Sequence, residues 1–103
     1  MAVTQFVDRP RRRGVSYAAQ YVAGASLDDL REVARKLDRD AEVAEVPQLG
    51  VLVVRYLNVP DNHPAHTDFE VVPDGHYLVY SRAFDLLYES DPETFAREHE
   101  TSS

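Results

Sequence analysis

The sequence predicts an α+β domain, a small and mostly antiparallel sheet packed by one amphipathic helix, with a short second helix near the C-terminus. Three observations carry this prediction. Residues 27–37 place apolar side chains at helical spacing. Six short runs rich in β-branched and aromatic residues are separated by Gly, Pro and Asp. A length of 103 residues suffices for one core but not for two. The domain is expected over residues 14–100, between a basic N-terminal arm (1–13) and a short C-terminal tail (101–103).

Residues 15–22 open the domain as a strand, with Val15, Tyr17, Ala19 and Tyr21 on one side of a period-two pattern. Gly24 ends this run. Ser26, three residues before Asp29, resembles a capping box, and Asp28 and Asp29 favour the positive end of a helix starting near Leu27. Leu27, Leu30, Val33, Ala34 and Leu37 form its apolar stripe, while Glu32 and Lys36 are spaced as an i,i+4 ion pair. Residues 41–46 read as a short strand ending at Pro47, with Gln48-Leu49-Gly50 as the turn. Residues 51–57 are the most hydrophobic segment, apolar on both faces apart from Arg55, and predict a central strand covered by a helix.

Prolines, histidines and Asp or Asn residues mark 58–68 as an exposed loop. Three further runs, 69–72, 77–80 and 84–88, are divided by Pro73-Asp74-Gly75 and Ser81-Arg82-Ala83, and predict a meander. Asp91 can cap a final helix that Pro92 and Glu93 begin favourably, with Phe95 as its anchor.

Composition bounds the function. Apolar residues make up 44% and charged residues 28%, the balance of a folding chain rather than a disordered one. The absence of cysteine excludes disulfides, thiolate metal sites and thiol nucleophiles. No apolar run reaches the roughly 18 residues of a membrane span, and the N-terminus lacks the apolar core of a signal peptide, so a cytoplasmic or virion location is expected. The net charge of −7 is unevenly spread: four arginines against one aspartate make residues 1–13 +3, which leaves −10 for the remainder. That asymmetry points to an interaction rather than to a chemistry.

Candidate chemistry is sparse. Residues 61–68 bring together His63, His66, Asp61 and Asp68, all possible metal ligands, but Pro64 prevents a helical His face and no third motif supports one. No metal and no cofactor are expected. Ser16, Ser26, Ser81 and Ser90 lack a nucleophile elbow, and Gly14, Gly24, Gly50 and Gly75 are isolated, so neither a serine hydrolase nor a phosphate-cradling loop is expected. Arg9, Arg11, Arg12 and Arg13 are candidate contacts for nucleic acid or an acidic partner. Six tyrosines and four phenylalanines are many for one small domain to bury. Tyr77, Tyr80, Phe84 and Tyr88 are therefore the candidate partner-binding residues, on a face or edge left open.

The order of elements and several local motifs resemble those of small tailed-phage and prophage proteins with a PGDW-like strand and a closing Pro-Asp-x-Phe helix. The motifs are Arg12-Arg13 before a Val-rich strand, Gln20-Tyr21, Gly24, the acidic start of the first helix, Pro73-Asp74-Gly75-His76-Tyr77-Leu78-Val79, and Asp91-Pro92-Glu93-Thr94-Phe95. Asp74-Gly75 inverts the family's Gly-Asp order, and His76 precedes the aromatic. The resemblance implies kinship of fold and carries no catalytic residue across. The expectation is a non-enzymatic interaction module of phage or prophage type, binding a protein or itself. The alternative is a nucleic-acid-directed protein, acting as an acidic DNA mimic or through the arginine arm.

Overall fold

The computed structural model describes residues 4–8, 15–58 and 69–101. Its architecture is α+β, with every strand pairing antiparallel. The strands divide between two sheets. The larger joins β1 (Thr4–Asp8), β2 (Val15–Gln20), β6 (Tyr77–Ser81), β7 (Leu86–Ser90) and β8 (His99–Thr101) in the order β7-β6-β2-β1-β8. The smaller joins β3 (Glu42–Val46), β4 (Val51–Arg55) and β5 (Phe69–Pro73) in the order β3-β4-β5.

The main core lies between the sheets. Tyr21, Leu78 and Leu87 from the larger sheet meet Val43, Leu52, Val54 and Val72 from the smaller one, and helix α1 (Asp28–Ala34) closes the core with Leu30, Val33 and Ala34. Helix α2 (Pro92–Glu98) packs on the opposite face of the larger sheet, where Phe95 joins Ala18 and Val79 in a second, smaller cluster. Strand β2 is thereby apolar on both sides, Ala19 facing the main core and Ala18 facing α2.

Both helices begin where their sequences direct. Asp91 accepts the Thr94 amide at 3.2 Å, as an N-cap should, and Phe95 stacks on Tyr77 with ring centroids 4.2 Å apart. At α1 the Ser26 hydroxyl accepts the amide of Asp28 at 3.3 Å, so it holds the turn just before the helix rather than completing a box with Asp29. The anticipated Glu32–Lys36 pair gives way to a tertiary contact: Lys36 Nζ lies 4.1 Å from the centre of the Tyr17 ring, where the ring face attracts the ammonium.

Three expectations are corrected. First, residues 69–90 are not a meander. β5 belongs to the smaller sheet and β6 pairs with β2, because the intervening turn docks on the end of β2: Gly75 donates to the Tyr21 carbonyl at 2.8 Å, and the Tyr21 amide donates to His76 at 2.9 Å. Gly75 takes φ +87, which few side-chain-bearing residues tolerate. Second, the strand expected at 84–88 starts at Leu86. Residues 82–85 form the turn, with Asp85 at positive φ and its carboxylate accepting the Tyr80 hydroxyl at 2.7 Å. Third, part of the segment read as an arm is a strand, since Thr4–Asp8 supplies a β-branched and aromatic run that pairs with β2 and β8.

Candidate functional site

Strand β4 sits at the centre of the smaller sheet, but its two faces differ. Leu52 and Val54 turn inward and are fully buried, while Val51 and Val53 turn outward and are only half-buried. From sequence the segment is expected to be a central strand covered by a helix. Among the described residues, α1 packs on β2, β6 and the inner side of β3, and α2 lies against the larger sheet, so neither helix covers the outer face.

That outer face is set by register. Val46, Val51 and Pro73 form one row across the three strands, Ala44, Val53 and Val71 a second, and Glu42, Arg55 and Phe69 a third. Seven of these nine positions are apolar. Val71 is 39% exposed and Phe69 54%, and Leu49 at the tip of the β3–β4 turn is 74% exposed. The two charged residues neutralise each other, Arg55 lying 3.5 Å from the Glu42 carboxylate. Both are well exposed, so this pair adds little stability. With strands about 4.8 Å apart and alternate residues about 6.7 Å apart, the rows cover on the order of 300 Å². Scattered apolar residues on a surface are ordinary; a contiguous patch of this size is at the lower end of the largest apolar patches that monomers expose, which are often functional.

The predicted partner-binding residues do not share a surface. Tyr77 and Tyr88 pack on the small cluster beneath α2, and Tyr80 turns to the main core. Phe84 projects from the 82–85 turn and is 55% exposed. Both faces of the β6–β7 hairpin are thus occupied. Arg9, Arg11, Arg12 and Arg13, and the 61–68 loop with His63 and His66, lie outside the described residues. Among the described residues no group of three or more His, Asp or Glu is arranged to hold a metal.

The remaining polar residues are occupied in holding segments together. Glu45 accepts the Tyr21 hydroxyl at 2.9 Å and the Gly24 amide at 3.0 Å, tying β3 to the β2–α1 loop. Burial first, then the Glu45 bond and charge, push the Tyr21 phenol up to about 12. Asp38, buried between α1 and β3, accepts the Leu57 amide at 2.6 Å, the Asn58 amide at 2.8 Å, the Asn58 side chain and the Asp40 amide. Its burial alone would raise its pKa, but these four donors outweigh it and hold the group down to about 2. Beside it lies an open groove of about 480 Å³, lined by Arg35, Lys36, Leu37, Asp38, Arg39, Asp40 and Asn58. Its central carboxylate is thus already saturated.

No family model, curated protein or solved structure matches the chain. The geometry therefore has to speak for itself. Among the described residues it assembles no nucleophile with a base, since Ser16, Ser81 and Ser90 are buried in the sheet and Ser26 holds a turn. Val46, Val51, Val53, Phe69, Val71 and Pro73 escaped the sequence reading. The available signal was that two short helices leave part of a sheet uncovered; which face stays open follows from the division of the strands between two sheets.

Proposed function

We propose that this chain is a non-enzymatic protein-interaction module that binds its partner through the outer face of β3, β4 and β5. The observation that carries the reading is the contiguous row pattern of seven apolar side chains on a face that neither helix covers. A phage or prophage setting rests on the resemblance in Pro73-Asp74-Gly75-His76-Tyr77 and Asp91-Pro92-Glu93-Thr94-Phe95, and a virion component or a host-factor binder both fit it.

Area and charge favour a different protein over a second copy. A patch of about 300 Å² falls well short of the roughly 800 Å² that each partner contributes to a standard interface. A second copy would also bring another −7 against the first. A partner with an apolar centre and basic flanks removes both difficulties, because its flanks extend the contact and oppose the net negative charge of this chain.

The test compares capture by the parent with capture by Val71→Glu and Phe69→Ser, at low and moderate salt. A basic protein retained by the parent, lost from both variants and weakened by salt supports the reading. A partner held equally by all three proteins, or parent protein that is dimeric by light scattering, overturns it.

A further inference from the structure

The inner side of the smaller sheet carries a carboxyl where its neighbours are apolar. Glu70 stands across from Val54 in the β4–β5 register, between the inward-facing Val72 and the end of β4, and it is half-buried. Among the described residues it has no hydrogen-bond donor. Tyr56, just past β4 and 8% exposed, has a buried hydroxyl that likewise finds no partner. The charge of Glu70 acts on that phenol.

Facing them from the larger sheet is β7, which lies against β5. Its Glu89 is on the core-facing side, and one Glu89 oxygen is 2.7 Å from His76 Nδ1. His76 in turn is felt by Asp91 at the start of α2. Arg55, next to Tyr56 in sequence, is turned to the outer face and paired with Glu42. The seam between the sheets therefore sets two carboxyls toward each other, with the imidazole engaged by one of them and a donor-capable phenol beside the other.

We propose that the β5–β7 seam is an acid-strengthened joint, in which Glu70 takes up a proton as the solution is acidified and the two sheets then hold together more tightly. In the ionised state Glu70 is desolvated, unpaired and repelled by Glu89, which costs free energy that the unfolded chain does not bear. Once protonated, it loses the repulsion from Glu89 and the cost of holding a charge out of water, and gains an O–H that can donate. Burial first and then Glu89 act to raise its pKa, in keeping with that geometry. The sign follows: a carboxyl whose folded pKa lies above its unfolded value contributes stability fully below the unfolded pKa, and that contribution is lost as pH rises through the folded pKa.

The experiment is a carboxyl-carbon NMR titration of the parent and of Glu89→Gln, with melting curves of the parent and Glu70→Gln at pH 5 and pH 7.5. The Glu70 midpoint is expected above the ordinary glutamate value and to move down in Glu89→Gln. Glu70→Gln is expected to melt higher than the parent at pH 7.5, and by a smaller margin at pH 5. A Glu70 midpoint at the ordinary value, or one unmoved in Glu89→Gln, overturns the proposal, and the NMR reading on the parent holds even if a variant misfolds.

Discussion

Asp38 is the residue whose removal should hurt this fold most for its size. Its carboxylate ties the end of α1 to the end of β4, which are far apart in sequence, through two backbone amides, one side-chain amide and the Asp40 amide. In Asp38→Ala these donors lose their acceptor together. A stranded donor costs about 1–3 kcal/mol when it stays dry, and the exposure of Leu57 and Asn58 lets water replace part of the loss. Taking the low end for the three backbone amides gives about 3 kcal/mol, or roughly a 12 °C or larger fall in Tm for a domain of this length. Urea denaturation of both proteins between pH 2 and pH 7 is the assay. Because the folded pKa is held down to about 2 against an ordinary 3.8, the Asp38 contribution is complete above the unfolded value and lost as pH falls toward 2. The gap between parent and variant should therefore be widest above about pH 4 and close on acidification. A gap below about 0.5 kcal/mol, or one of constant size down to pH 2, would refute the reasoning.

Other consequences are equally direct. Tyr21→Phe deletes the donor to Glu45 from a fully buried ring and should cost about 1 kcal/mol in urea denaturation, with the fold otherwise intact. Phe95→Ala removes the stack on Tyr77 and should cost about 3 kcal/mol, with amide exchange accelerated first across α2. Lys36→Met exchanges the ammonium over Tyr17 for an uncharged chain of similar length and should cost no more than about 1 kcal/mol.

What the sequence disclosed depended on how local each determinant is. The α1 stripe, the Asp91 cap, the Phe95 anchor and the Pro73-Asp74-Gly75 turn are written within a few residues, and each stands where it was expected. Strand partnership is not written locally. Nothing in Phe69-Glu70-Val71-Val72-Pro73 states that it joins β4 rather than β6; that choice is made when the Gly75 amide meets the Tyr21 carbonyl, 54 positions away in sequence. The packing of the aromatic residues is non-local for the same reason. Tyr77 and Tyr88 pack half-buried against the cluster beneath α2, and Tyr80 half-buried against the main core. What the fold leaves bare is a modest valine-rich face whose exposure depends on where the helices pack.

The most direct test of that bare face is site-specific photo-crosslinking, with a benzophenone side chain placed at position 71 in one protein and at position 88 in another. Val71 is in the middle row of the outer face, on its edge strand β5, and Tyr88 is beneath α2 on the other sheet. The account predicts that position 71 forms a covalent adduct with one distinct, basic partner protein and that position 88 does not. Adducts from position 88 alone, or adducts from position 71 only to a second copy of this chain, would contradict it.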